Sequence, residues 1–272
     1  MPDAPSAPVR LHARVIGEGA PVLLVHGLGG DHTSWGGVAG RLGTRFRVTV
    51  PDLRGHGASP LPEGSTLSFA EHEGDLGRLL DEAASPSTHV VGLSAGAFLA
   101  LRWTIDHPQR VRSLVLIGGA SHCDAHTRAV GERWAETLQK DGFDAYVLRL
   151  LKDLVAPDWI EAHMEFADRL KEDLRGRDLK GPVLWSRAIR TFDLRGRLGG
   201  IRVPTLVMHG MDDQVVDASH GRLLRQAIPG AELKLFPNTG HLVPIEHPIE
   251  TADAIERWVA AAEGVPSAPP SP

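Results

Sequence analysis

A single cysteine, Cys123, occurs among the 272 residues, so no disulfide can form within the chain and nothing calls for an oxidising compartment. No hydrophobic run approaches the roughly 20 residues that a membrane-spanning helix needs. Residues 1–8 also lack the basic start and hydrophobic segment of a secretory signal. These absences disfavour a membrane protein and predict a cytoplasmic location, with Cys123 as a structural thiol.

Positive charge is neither in excess nor clustered. Lys and Arg number 29 against 34 Asp and Glu, which gives a formal net charge of -5. Proteins that bind nucleic acid usually carry a basic stripe or patch, so neither nucleic acid nor a membrane is expected as a partner. The expected partner is a small-molecule substrate, and the chain is expected to be a monomer or a homodimer.

Motifs for nucleotides and metals are also missing. The glycine-rich stretch 26–31 lacks the lysine of a P-loop, and its spacing differs from Gly-x-Gly-x-x-Gly. No zinc-ligand spacing such as His-Glu-x-x-His occurs. We therefore predict neither a cofactor nor a metal. Stretch 26–31 is left with two interpretations: glycines that only turn the chain, or a loop whose N–H groups face a site.

Hydrophobic runs alternate with helical patterns along most of the chain. A run buried on both faces and followed by a helix is typical of a parallel sheet with helices on both sides. The sequence therefore predicts an α/β fold with a doubly wound, mostly parallel sheet, preceded by a peripheral hairpin at 9–17. Strands are predicted at 21–25, 46–50, 88–93, 111–117, 203–210 and 231–236, and helices at 68–84, 94–107 and 249–262.

One long segment has helical character only. Helices are predicted there at 128–140, 143–154, 158–174 and 182–192. The predicted organisation is therefore a core domain of residues 1–120 and 198–262, a helical insertion of residues 121–197, and a disordered tail of residues 263–272.

The run Gly92-Leu93-Ser94-Ala95-Gly96 stands between a predicted strand and a predicted helix. A serine in a sharp strand-to-helix turn projects its hydroxyl away from the sheet, and glycines let neighbouring backbone pass close by. Ser94 is therefore the candidate nucleophile. The five-residue pattern is weak evidence alone, because small residues crowd any tight turn.

A second loop, from Asp52 to Ser59, has the pattern Asp-x-Arg-Gly-x-Gly-x-Ser. Together with the serine turn, it resembles the α/β-hydrolase superfamily, and specifically its serine esterase and lactonase branch, which includes 3-oxoadipate enol-lactonase. The resemblance covers about residues 10–262. We expect Asp52 and Arg54 to form an ion pair that braces the loop.

The resemblance implies a catalytic triad in the chain order Ser94, Asp213, His241. Counting from Gly210 selects Asp213 as the acid, with the adjacent Asp212 as the alternative. It also implies an oxyanion hole, formed by the main-chain N–H groups of Leu28 and Ala95.

The resemblance further implies the α/β-hydrolase fold, with residues 121–197 as a helical cap inserted after the sixth strand. Four residues are candidates for the substrate pocket: His26, Trp134, Trp159 and Trp185. For each tryptophan, packing in the core is the alternative interpretation.

The function implied is hydrolysis of carboxylic esters or lactones of small molecules through an acyl-enzyme. The same triad also serves C–C bond hydrolases and cofactor-free haloperoxidases that act as perhydrolases. A ligand-sensing receptor that hydrolyses slowly is the alternative outside the enzymes, since fold alone does not determine function.

Overall fold

The computed structural model describes residues 7–265. Its strands are Ala13–Ile16 (β1), Pro21–Val25 (β2), Arg47–Pro51 (β3), Thr88–Leu93 (β4), Val111–Ile117 (β5), Thr205–Gly210 (β6) and Glu232–Phe236 (β7). They form one sheet with the order β1-β3-β2-β4-β5-β6-β7. Strand β1 is antiparallel to β3, and all other neighbours are parallel. The predicted α/β fold with a mostly parallel sheet is confirmed.

Both faces of the sheet are covered, as the hydrophobic runs predict. In β2, Leu23 and Val25 belong to a core cluster on one face, whereas Val22 and Leu24 belong to a second cluster on the other face. Side chains alternate across a strand, so a strand buried on both faces must be apolar at every position. The sheet is therefore doubly wound.

The helices are mostly those that the hydrophobic patterns predict. None described within 7–265 is both long and apolar enough to cross a membrane. They are Gly36–Leu42 (α1), Phe69–Glu82 (α2), Ala95–Asp106 (α3), Ala125–Lys140 (α4), Phe143–Leu154 (α5), Pro157–Ala162 (α6), Met164–Leu174 (α7), Lys180–Ile189 (α8), Ser219–Ala227 (α9), Val243–Glu246 (α10) and Pro248–Glu263 (α11), with single 3-10 turns at His32–Trp35, Pro108–Arg110 and Leu198–Gly200.

Five helices, α4–α8, lie between β5 and β6. The helix predicted at 158–174 is two helices, because the backbone at His163 leaves the helical region with φ -132° and ψ 51°. The range 9–17 contains one strand, which pairs with β3, and not a hairpin. The inserted helices therefore follow the fifth described strand, not the sixth. The predicted tail of residues 263–272 begins too early, because α11 extends to Glu263 and is capped by Gly264. Residues 266–272 lie outside the described part of the chain.

Four segments that carry candidate site residues follow the carboxyl ends of parallel strands. Stretch 26–31 follows β2, Ser94 follows β4, Asp213 lies three residues after β6, and His241 lies five residues after β7. Because carboxyl ends of parallel strands share one edge of the sheet, the fold brings these segments together.

Candidate active site

Ser94 lies in a sharp turn between β4 and α3. Its φ of 55° and ψ of -121° fall in a region that residues other than glycine rarely adopt. The turn is possible because its flanking glycines carry no side chain. A Cβ on Gly92 would lie 2.3 Å from Gly96 O, and a Cβ on Gly96 would lie 2.3 Å from Val25 O. This backbone holds Ser94 at the edge of the sheet, where it lines two cavities.

A chain of hydrogen bonds joins Ser94, His241 and Asp213. His241 Nε2 lies 2.7 Å from Ser94 Oγ, and His241 Nδ1 lies 2.7 Å from Asp213 Oδ2. An ionised carboxylate can only accept, so Nδ1 carries the imidazole proton and Nε2 accepts from the serine hydroxyl. This arrangement lets the imidazole remove the serine proton. Asp212 is exposed, so of the two adjacent aspartates it is Asp213 that reaches the imidazole.

Asp213 is buried and has hydrogen bonds to both carboxylate oxygens. Its Oδ1 accepts the N–H groups of Val215 at 2.8 Å and Val216 at 2.9 Å. Burial by itself raises the pKa of Asp213, but His241 and a hydrogen bond from His209 outweigh burial and hold the pKa well below its ordinary value. Asp213 is therefore ionised at neutral pH and can stabilise a protonated His241.

His209 is a supporting residue that the sequence analysis missed. It is fully buried in β6, and its Nε2 lies 2.7 Å from Val216 O and 3.2 Å from Asp213 Oδ2. Both neighbours are acceptors, so Nε2 carries a proton and donates. A histidine four residues before the acid was the available signal, but such a spacing says nothing about burial or partner.

Glu246 is the second supporting residue that was missed. Its carboxylate accepts the N–H of Gly240, at 3.0 Å to Oε1, and the N–H of Ala156, at 3.0 Å to Oε2. Leu154 O accepts the N–H groups of His241 at 2.9 Å and of the next residue at 3.0 Å. The loop that carries His241 is therefore hydrogen-bonded to the segment between α5 and α6. No local pattern predicts these contacts, because the partners lie about 90 residues apart in the chain.

The main-chain N–H groups of Leu28 and Ala95 have no acceptor among residues 7–265. Ala95 begins α3, and the first N–H groups of a helix have no acceptor within the helix. Gly27 brings the loop against Ser94, since a Cβ on Gly27 would lie 3.0 Å from Ser94 Cβ. Leu28 and Ala95 line the same cavity as Ser94, which leaves two donors free for an anionic oxygen there.

Known proteins share both the sequence pattern and this architecture. The sequence model of the alpha/beta hydrolase fold family matches residues 20–248. The chain belongs to the alpha/beta hydrolase fold family.

Three relatives of this hydrolase illustrate the range of the family. It is 33% identical over 239 residues to RutD of Variovorax paradoxus, which is named a candidate carbamate hydrolase, covering 85% of this chain and 89% of the relative. It is 32% identical over 260 residues to the 2-hydroxymuconate semialdehyde hydrolase of Pseudomonas putida, covering 92% and 91%. The solved enol-lactonase of Burkholderia xenovorans is 26% identical, with a TM-score of 0.83 and coverage of 92% and 96%.

His26 does not line either cavity of the hydrolase, in contrast to its predicted place in the pocket. It is fully buried, its Nδ1 lies 2.8 Å from Gly27 O, and its Nε2 accepts the N–H of Leu53 at 2.9 Å. Burial lowers the pKa of His26 and favours the neutral ring that these two bonds require. His26 therefore joins the loop after β2 to the loop after β3.

The predicted ion pair between Asp52 and Arg54 is wrong. Arg54 is fully buried and pairs with two carboxylates on α2, Asp75 at 2.7 Å and Glu71 at 3.1 Å. A buried guanidinium needs charged partners, and α2 supplies them across the fold in a way that local sequence does not reveal.

Asp52 has two histidine partners instead. His12 Nδ1 lies 2.9 Å and His32 Nδ1 lies 2.8 Å from its carboxylate. Within residues 7–265, these three residues form the one group whose ligand atoms are close enough to hold a metal ion, all within 4.8 Å of one another. The hydrogen bonds already use the same atoms, and none of the three lines a cavity at Ser94.

Two cavities meet at Ser94, with volumes of about 70 Å³ and about 250 Å³. Of the three candidate tryptophans, Trp134 lines both cavities, and Trp159 and Trp185 line neither. Trp185 is fully buried, with its ring centroid 4.7 Å from that of His72, and Trp159 stacks on the ring of His163 at 4.2 Å. Packing within the protein is therefore the role that the structure gives these two side chains.

Proposed function

We propose that this alpha/beta hydrolase cleaves carboxylic esters or lactones of small molecules through an acyl-enzyme on Ser94. The observation that carries the proposal is the hydrogen-bonded chain from Ser94 Oγ through His241 to Asp213, in which both contacts measure 2.7 Å. Ser94 lines a cavity that is also lined by Leu28 and Ala95, whose main-chain N–H groups are the two free donors. A nucleophile, a base, an orienting acid and an oxyanion site are the set that acyl transfer needs.

The reaction proceeds in two steps. His241 Nε2 takes the proton of Ser94 as Oγ attacks the substrate carbonyl, and the N–H groups of Leu28 and Ala95 stabilise the oxyanion. His241 then gives that proton to the leaving alkoxide as the C–O bond breaks. A water, deprotonated by the same imidazole, attacks the acyl carbon, and His241 returns that proton to Ser94 Oγ as the bond to the acyl carbon breaks and the acid leaves. Asp213 keeps the imidazole oriented and stabilises its protonated form.

We further propose that residues 121–197 form a cap over this site. Helices α4–α8 supply much of the lining of both cavities, including Trp134, Leu150, Phe166 and Ile189. Such a roof excludes water from the reacting atoms and shapes the pocket.

The names of the relatives support carbonyl chemistry and leave the substrate open. An enol-lactonase supports a lactone, a candidate carbamate hydrolase supports an acyl substrate with nitrogen next to the carbonyl, and a 2-hydroxymuconate semialdehyde hydrolase supports C–C bond cleavage as the second candidate. The same nucleophile and base serve each reaction, so only the preferred substrate separates them.

The test compares wild type with Ser94→Ala on para-nitrophenyl esters, small lactones and a vinylogous 1,5-diketone. We expect ester or lactone turnover that falls by about 10⁴-fold or more in Ser94→Ala, with an acyl adduct on the Ser94 peptide by mass spectrometry. Asp213→Asn should lose most activity and Asp212→Asn should keep it. Equal rates in wild type and Ser94→Ala refute the proposal, and turnover of the diketone alone supports the second candidate.

A further inference from the structure

The two cavities at Ser94 differ in which catalytic group they contain. Both are lined by Leu28, Ser94 and Trp134. His241 lines only the larger cavity, and Ala95 lines only the smaller one. The base His241 is therefore reached from the larger cavity, whereas both oxyanion donors, Leu28 and Ala95, line the smaller cavity.

This asymmetry orients a substrate. The atom that leaves must receive its proton from His241 Nε2, within hydrogen-bond reach, when the tetrahedral intermediate collapses. The leaving group must then extend into the cavity that His241 lines. The acyl group, which stays on Ser94 Oγ, must occupy the other cavity.

We infer that the smaller cavity binds the acyl group, the larger cavity binds the leaving group, and Trp134 is the specificity-determining wall between them. This inference rests on the proposed function. It predicts substrates with a compact acyl group and a large apolar leaving group, since the acyl cavity has less than a third of the volume of the other, about 70 against about 250 Å³.

The position of Trp134 is fixed from both sides. Its indole Nε1–H donates to Asp153 Oδ2 at 2.8 Å, and Asp153 is buried. The ring packs against the central core cluster and also against the cluster formed by the inserted helices, which includes Val147 and Leu151. A side chain held by a hydrogen bond and by packing on two clusters is a rigid partition.

The lining of each cavity gives its chemistry. The leaving-group cavity is bordered mainly by apolar side chains, such as Leu150, Leu154, Phe166 and Leu170, and also by Asp173 and by Arg177, which pairs with Asp31. The acyl cavity is lined by two exposed arginines, Arg128 and Arg190, and by no carboxylate.

Arg128 forms no ion pair with a carboxylate in the described part of the chain, and Arg190 has an exposed partner, Glu132, at 3.5 Å. Guanidinium groups with spare donors bind carboxylates well. The preferred acyl group is therefore a short one that ends in a carboxylate.

A pair of isomeric esters tests the orientation. Naphthylmethyl acetate has a small acyl group and a large leaving group, and methyl naphthylacetate has the same atoms in the reverse arrangement. With each kcat/KM divided by the alkaline hydrolysis rate, we expect wild type to favour naphthylmethyl acetate by about tenfold or more. Trp134→Ala should shrink this ratio, because it joins the two cavities. Trp159→Ala, which removes a tryptophan that lines neither cavity, should leave the ratio unchanged.

A second pair tests the charge. Monobenzyl glutarate and benzyl pentanoate have acyl chains of similar length, and only the former ends in a carboxylate. We expect wild type to prefer monobenzyl glutarate by about tenfold, and the double variant Arg128→Gln, Arg190→Gln to lose most of this preference.

The outcomes separate this inference from the function on which it rests. If turnover depends on Ser94 but wild type prefers methyl naphthylacetate, the assignment of the cavities is wrong. It is also wrong if Trp134→Ala leaves the preference between the two isomers unchanged. Either result leaves the hydrolase proposal intact. An equal rate on the second pair overturns the carboxylate assignment. Turnover that does not depend on Ser94 overturns the proposed function itself.

Discussion

Replacing Glu246 by glutamine tests whether a buried carboxylate holds the loop of the catalytic base. The carboxylate accepts the N–H of Gly240 on both oxygens, at 3.0 Å to Oε1 and 3.2 Å to Oε2, and the N–H of Ala156 on Oε2 at 3.0 Å. Glutamine has nearly the same size, but only its amide oxygen accepts. With that oxygen in the place of Oε2, the amide NH₂ takes the place of Oε1, 3.0 Å from Gly240 N, so two donors face each other and one of them is left without an acceptor. An unsatisfied buried donor costs about 1–3 kcal/mol. We expect a loss of about 2 kcal/mol, or about 4–8 °C in Tm for a chain of this size.

The assay is thermal unfolding followed by calorimetry, together with kcat/KM on the best ester. Because Gly240 directly precedes His241, kcat should fall as well. Glu250→Gln is the matched control, since the side chain of Glu250 is 60% exposed and lies 3.7 Å from Lys234. If Glu246→Gln unfolds at the same temperature as Glu250→Gln and keeps wild-type kcat/KM, the buried contacts do not position the loop and the reasoning fails.

Two further predictions concern stability. Gly96→Ala should prevent folding or lower Tm strongly, because its Cβ would lie 2.3 Å from Val25 O. Gly131→Ala should instead stabilise α4 by about 0.5–1 kcal/mol, because no atom lies within 4 Å of the new Cβ. Similar Tm values for the two variants would contradict this prediction. Burial raises the pKa of Glu73 to about 7 from an ordinary 4.5, so the folded protein holds the carboxyl proton to a higher pH than the unfolded chain does. The protonated carboxyl therefore contributes stability that is fully present below about pH 4.5 and is lost as the pH rises through about 7. In urea titrations between pH 5 and 8, wild type should therefore lose up to about 3 kcal/mol more than Glu73→Gln, and parallel curves would refute this assignment.

The sequence predicted the sheet and the order of the site residues well, because both depend on local patterns. A hydrophobic run that ends at a glycine or a polar residue marks the carboxyl end of a buried strand, and parallel strands bring those ends to one edge. Ser94, Asp213 and His241 each follow such a run, so their convergence follows from topology. Three helices were not predicted: the short helices α1 and α10, and α9. In α10 a proline follows the first residue and the helix has only four residues, whereas α1 and α9 share another feature. Both contain glycine at their first or third position, which weakens a helical pattern.

What the sequence did not reveal was which distant residues become neighbours. Arg54 was assigned to the nearby Asp52, but α2 brings Asp75 and Glu71 to it. His26 and Trp185 were candidate pocket residues because one lies in the loop after β2 and the other in the inserted helices, but their side chains face the interior and make contacts there. Such choices depend on the direction in which each side chain leaves its element, and that direction is set by tertiary packing.

The carbonyl of Leu154 accepts the N–H groups of His241 and of the residue after it. This contact limits how the protein can be re-engineered. The inserted helices could be exchanged for those of another hydrolase to change the substrate. If the exchanged segment included Leu154, the carbonyl that holds the loop of His241 would be replaced as well. Grafts should therefore leave residues 154–156 in place and exchange the helices on either side, so that pocket shape can vary while the imidazole keeps its position.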